Sequence, residues 1–161
     1  QDAGVFGCGY NSDMTVDAPD AHLTAAIWNW NVHDHTAIQA AMDCNGEASK
    51  FVSNMGGGAY YGGLNEGFVD VSPLNEKTVA PGTEAAIEAV KAKIATGEWD
   101  VFSGTKLNVV LADDGSVSLE ETAAPLMDNA GNEIVAAGGP SVEDSVITGS
   151  MNYFVAGVQV S

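Results

Sequence analysis

The chain has 161 residues, with 22 acidic side chains against 5 basic ones and a net charge of −17 with histidine neutral. That length suits one domain of ordinary size with a buried core. A composition 45% apolar and 17% charged describes a globular chain rather than a disordered acidic tail. All five basic residues are lysines (Lys50, Lys77, Lys91, Lys93 and Lys106), so no guanidinium fork is available to read phosphates, carboxylates or guanine edges. The acidic field repels nucleic acid and anionic membranes. It also suits a salty extracellular setting.

No apolar run approaches a transmembrane length. Gln1-Asp2-Ala3-Gly4 lacks the basic start and apolar stretch of a signal peptide, as a mature exported chain or a fragment would. Cys8 and Cys44 fit either a single disulfide in an oxidising compartment or two buried free thiols.

In chain order, Val5 to Tyr10 reads as a strand running into the polar turn Asn11-Ser12-Asp13. His22 to Ile27 reads as a second strand, followed by the cluster Trp28-Asn29-Trp30-Asn31. Asp34 is placed to cap a helix whose face carries Ile38, Ala41 and Met42, and which stops near Asn45-Gly46. A glycine-rich stretch, 56–63, precedes the strand-like Phe68-Val69-Asp70-Val71. Thr83 is expected to cap a helix to Ala95, with Ala86, Ile87, Val90 and Ile94 on one face and Gly97 ending it. Trp99 to Gly104 reads as a short strand. Leu107–Ala112 and Ser116–Leu119, joined through Asp113-Asp114-Gly115, predict a β-hairpin, because the Asp-Gly pair accepts positive φ. Asp128 to Glu133 forms a second turn, Ser141 caps a last short helix, and Met151 to Val155 closes the chain. Strands alternating with helices predict an α/β fold with a mostly parallel sheet flanked by helices.

Sequence motifs for catalysis are lacking. His33-Asp34-His35 puts two histidines at i and i+2 with no third metal ligand nearby, so the histidines are expected to flank a cleft. His22 is expected to pack or hydrogen-bond locally within its strand. Gly56-Gly57-Gly58 lacks the ending of a phosphate loop, no GxSxG occurs, and neither cysteine has a catalytic histidine context. An enzyme is not expected, nor a metal or cofactor. The distinctive groups lie at strand ends: Asn11, Ser12 and Asp13 after the first strand, and Trp28, Asn29 and Trp30 after the second. Ligands of open α/β sheets bind there, with aromatic faces stacking on flat rings while Asn and Asp pair with ring edges or hydroxyls. The plainer reading puts both tryptophans in the core and leaves Asn11 and Asp13 to shape a turn.

Gly4 to Met14 (GVFGCGYNSDM) and Ala18 to Trp30 (APDAHLTAAIWNW) resemble the basic membrane protein (BMP) family, substrate-binding proteins of ABC importers whose best understood members bind purine nucleosides. The likeness continues through Tyr61 to Asp70, Val101 to Gly104, Pro125 to Gly131 and Ser150 to Val158. It implies a type I periplasmic-binding-protein-like fold, incomplete relative to the two-lobed family. The chain resembles only the C-terminal half, the second lobe plus segments that cross the hinge. It also implies a periplasmic or extracellular location, with room for a lipid anchor on the full-length protein, and an ABC permease as partner. Nucleoside-binding members usually carry Asp and Lys for the ribose where this chain has Asn11 and Trp28, so ribose recognition does not carry over, and a bare base or another flat ligand fits as well. Residues 105–124, the hairpin, look like an insertion.

The implied function is capture of a purine nucleoside, nucleobase or similar flat polar ligand between two lobes. Asn11 and Asp13 would hydrogen-bond the ligand, Trp28 and Trp30 would stack on it or wall the cleft, and Tyr61 would stand at the cleft or in a hinge loop. The rival expectation is a self-assembling extracellular protein that reuses half of the binding-protein fold. Copies of itself, or the missing N-terminal half, would then cover the open faces, with the hairpin donating strands between subunits.

Overall fold

The computed structural model describes residues 2–57, 60–112 and 114–159, in a mixed α/β arrangement of small sheets and four helices. The chain divides into two compact units, Gln1–Ala80 and Pro81–Ser161.

The first unit is built on a three-stranded sheet, β1 (Gly7–Tyr10), β2 (His22–Trp28) and β3 (Val69–Val71), with β2 in the middle. β1 and β2 run parallel, Gly7 opposite His22 and Tyr10 opposite Ala26. Their connection is a run of turns, in which the Ala18 and His22 N–H groups donate to the Met14 and Ala18 carbonyls. The chain leaves the Trp28 end of β2 into α1 (Trp30–Asp43) and α2 (Ala48–Asn54), then returns to that same end, where the Asn29 N–H donates to the Phe68 carbonyl at 2.8 Å. A segment that returns to the end it left must run antiparallel, and Trp28 lies opposite Val69 with Ala26 opposite Val71. The expectation of a mostly parallel sheet is thereby corrected, since β1–β2 is the single parallel pair among the described strands.

Buried polar groups tie this sheet to the loop after β3. The Ser72 N–H donates to the Ala25 carbonyl at 2.8 Å, and its Oγ accepts from the Ala25 N–H at 3.0 Å. The Asn75 side-chain amide donates to the Pro19 and His22 carbonyls at 2.8 and 2.9 Å. His22 is buried and local, as expected of it, receiving the Met14 N–H at Nε2. The buried apolar residues of this unit are Ala21, Ala25, Ala40, Cys44, Met55 and Phe68. Both cysteines are free, with Cys44 buried and Cys8 exposed on β1.

The second unit comprises α3 (Thr83–Thr96), the hairpin β4 (Thr105–Leu111) and β5 (Val117–Ala123), the short pair β6 (Leu126–Met127) and β7 (Glu133–Val135), and α4 (Asp144–Gly149). The hairpin is fully in register from Thr105↔Ala123 to Leu111↔Val117. Its chain reversal falls where the sequence places it, between Ala112 and Ser116. The Ala112 N–H donates to the Ser116 carbonyl, the Gly115 N–H to the Ala112 carbonyl, and Gly115 takes φ +82°; Asp113 of the predicted turn lies outside the described residues, as do Gly58 and Ala59 of the glycine-rich stretch. α3 rests on β5, where the Lys93 ammonium meets Glu121 at 2.7 Å and Glu98 at 3.5 Å. At the second turn the buried Asp128 carboxylate accepts the Ala130 and Asn132 N–H groups and the Asn132 side-chain amide, at 2.8–2.9 Å.

Three expected helix caps and one strand are corrected. α1 begins four residues before Asp34, at Trp30, because the chain turns directly out of β2 and the Val32 N–H is satisfied by the Asn29 carbonyl. Thr83 is the first residue of α3 rather than its cap, which is Gly82 at φ +84°. Ser141 donates to Asp100 at 2.7 Å, and Glu143 stands before α4. Residues 99–104 form turns instead of a strand, because Asp100 accepts the Phe102 N–H on its carboxylate and the Ser103 N–H and hydroxyl on its carbonyl, diverting the backbone from a ladder.

Every buried apolar residue among those described belongs to the first unit, while α2, α3 and α4 have no buried residue. The chain exposes 10642 Å². Two separate compact domains of half its mass would expose roughly 9,100 Å² together.

Candidate functional site

β1 and β2 are parallel, so their carboxyl ends emerge side by side, and both carry aromatic residues there. The first strand delivers Tyr10 and Asn11. The Asn11 N–H still donates to the Ala26 carbonyl at 2.7 Å, after which its backbone turns through φ +70°, a left-handed conformation that asparagine tolerates better than most residues. The second strand ends on Trp28, and α1 opens with Trp30 and brings His33 round one turn later. Tyr60, Tyr61 and Gly62 come from the loop after α2, and Phe68 is the buried residue before β3.

These nine residues line one cavity of about 480 Å³. Its rings pack largely edge to face. Tyr10 stands at 85° to Trp28 with centroids 4.9 Å apart; Trp30 stands at 82° to Phe68 at 5.6 Å; Tyr60 stands at 87° to Phe68 at 5.2 Å and at 73° to the His33 imidazole at 5.7 Å. Such pairs set the positive edge of one ring against the negative face of the next. Trp28 and Trp30 are tilted by 33° at 6.4 Å. The Tyr10, Trp30 and Tyr61 rings are largely exposed, which leaves ring faces for a guest. Besides tyrosine hydroxyls and the indole N–H groups of Trp28 and Trp30, the polar side chains of the lining are the Asn11 amide and the His33 ring, whose Nδ1 lies 3.1 Å from Asp34 Oδ1. A second cavity, of about 400 Å³, shares Tyr60, Tyr61 and Gly62 with the first and adds Glu66, whose carboxylate accepts the Gly63 N–H at 2.7 Å.

Of the residues expected at the site, Asn11, Trp28, Trp30 and Tyr61 are brought together here. Asp13 is not among them. Its Oδ1 accepts the Thr15 hydroxyl at 2.6 Å and the Thr15 N–H at 2.9 Å and sits 3.4 Å from His22 Nε2. The Thr15 hydroxyl and N–H, with a smaller effect from His22, hold its carboxyl below the ordinary range. Its hydrogen bonds are made within the turn after Asn11, and it does not line this cavity. His33 flanks the cleft, as expected, whereas His35 is exposed and does not line it.

Sequence reasoning missed Tyr10, Tyr60 and Phe68 as lining residues. Tyr10 adjoins Asn11 at the strand end, which was a usable signal. Phe68 was readable only as part of a strand, because its role depends on the return of the chain to the end of β2. Among the described residues no group of three or more His, Cys, Asp or Glu side chains converges as a metal site would, and no helix is long and apolar enough to cross a membrane. No protein-family model and no curated protein matches the chain.

Proposed function

We propose that this chain is a lobe of a solute-binding protein of the type I periplasmic-binding class, related to the BMP family, which captures a flat heteroaromatic ligand such as a purine nucleobase or nucleoside for an ABC importer outside the cytoplasm. The observation that carries this reading is the aromatic cavity at the carboxyl ends of the parallel pair β1–β2, lined by Asn11, Trp28 and Trp30. Ring faces supply stacking area, and the Asn11 amide supplies one donor and one acceptor for a ring edge. Binding would require no covalent step. In a two-lobed protein the ligand would stabilise closure by touching both lobes, so its differential contacts set the population of the closed state.

Thermal unfolding and tryptophan fluorescence in the presence of adenine, guanine, adenosine and guanosine test this. A ligand at 100 times its Kd stabilises by about 2.7 kcal/mol, and its stacking on Trp28 or Trp30 changes the emission. Saturable stabilisation by any of the four, lost in Trp28→Ala, supports the reading. The absence of any shift or spectral change with all four defeats purine capture by this chain.

A second reading, assembly with copies of itself, is favoured by the surplus of exposed surface and by apolar residues at the start of the sheet, Val5 at 63% and Phe6 at 62% exposure. Sedimentation at several concentrations decides it, since a concentration-independent monomer excludes self-assembly.

A further inference from the structure

We infer that the guest of the aromatic cavity carries a positive charge, as a cationic heteroaromatic ring or a quaternary ammonium group does. The inference rests on the reading that this cavity is the ligand site and narrows what the site takes.

Six aromatic residues line the cavity, Tyr10, Trp28, Trp30, Tyr60, Tyr61 and Phe68, out of 3 Trp, 4 Tyr and 5 Phe in the whole chain. Their planes stand nearly perpendicular in the Tyr10–Trp28, Trp30–Phe68 and Tyr60–Phe68 pairs, so the rings take several orientations, and Tyr10, Trp30 and Tyr61 keep more than half of their surface exposed. Each face is the negative pole of a ring quadrupole, and a box of such faces is how proteins hold organic cations. A neutral purine presents several donors and acceptors along its edges, each costly to desolvate without a partner. Apart from tyrosine hydroxyls and the indole N–H donors of Trp28 and Trp30, the cavity offers that edge the Asn11 amide and the His33 ring, so side-chain acceptors are few. A cation held on ring faces needs no such partners.

The electrostatics agree. None of the five lysines lines the cavity, the chain contains no arginine, and its net charge of −17 makes the surrounding potential negative. The Glu66 carboxylate lines the adjoining cavity across the shared Tyr60–Gly62 wall.

Isothermal titration of the whole chain with 1-methylnicotinamide and with nicotinamide separates charge from ring shape, because the two share a ring and an amide and differ by a methyl group and one permanent positive charge. The expected result is at least tenfold tighter binding of the cation. That preference should weaken severalfold as NaCl rises from 0.02 to 0.5 M, and Tyr61→Leu should lose at least threefold in affinity for the cation. Tyr61 is 76% exposed, so this variant does not disturb packing. Choline against 3,3-dimethylbutan-1-ol, its neutral isostere, should show the same preference. Equal affinity for charged and neutral partners, or no binding of either cation, overturns the inference. If neutral purines bind while the cations do not, the purine reading survives alone; if neither binds, both fall.

Discussion

Ser72, 2% exposed, closes the sheet of the first unit from its side-chain oxygen, which takes the Ala25 N–H while its own backbone bonds back to Ala25. Removing that oxygen strands a buried donor, so Ser72→Ala should destabilise the unit by about 1–3 kcal/mol, read as a lower midpoint in urea. Gly62 acts on the site itself. A Cβ there would stand 2.6 Å from Tyr60 Cε1 and 2.7 Å from its hydroxyl, so Gly62→Ala should displace the Tyr60 ring, which meets His33 and Phe68. Ligand affinity should fall by threefold or more with little change in thermal stability; unchanged affinity would remove Tyr60 from the site. Asp128 sets a pH dependence in the second unit. The Asn132 side chain first, then the Asn132 N–H, hold its carboxyl below the ordinary value of 3.8. A carboxyl depressed in the folded state stabilises fully above its unfolded value and loses that contribution as pH falls through the folded one. Unfolding midpoints of the wild type should therefore drop below about pH 4, and Asp128→Asn should flatten that part of the profile.

At the scale of elements, the hairpin was legible from alternating residues and an Asp-Gly pair, since both are local properties. The place of its reversal, between Ala112 and Ser116, was legible as well, with Gly115 at φ +82°, while the ladder runs further than the apolar pattern suggested, to Thr105 and Ala123. Gly115→Ala should cost about 1 kcal/mol, measured by chemical denaturation, because a Cβ disfavours that conformation. No neighbour lies within 4 Å of that position, so the cost reports the backbone alone. The start of α1 was misplaced for the opposite reason. Asp34 has the composition of a cap, but Trp30 already lies in the helix, in contact with the Trp28 ring and edge to face with Phe68. Of the site, Asn11, Trp28, Trp30 and Tyr61 were readable as polar and aromatic groups at strand ends or beside glycines. Phe68 and Tyr60 become lining residues through contacts with Trp30 and His33, on a segment separated from them by a whole helical stretch of chain.

At the scale of the molecule, charge opposes the association that exposed apolar surface would favour. Copies carrying −17 repel at low ionic strength, where the screening length is about 30 Å at 0.01 M, but far less at physiological salt, where it is about 8 Å. Light scattering should therefore show association rising with NaCl, and a scattering mass independent of salt would count against exposed apolar surface as an attractive patch. Composition and residue order were enough to establish an acidic, arginine-free, mixed α/β chain, most of its strands, and the aromatic character of its strand ends, because propensity, turn chemistry and net charge act locally or additively. The antiparallel return of β3, the removal of Asp13 to the turn after Asn11 and the closure of six aromatic side chains around one cavity came only with the structure. The first and the last depend on which distant segment satisfies a backbone hydrogen bond or a ring edge, which no local preference specifies, whereas Asp13 is held locally by Thr15.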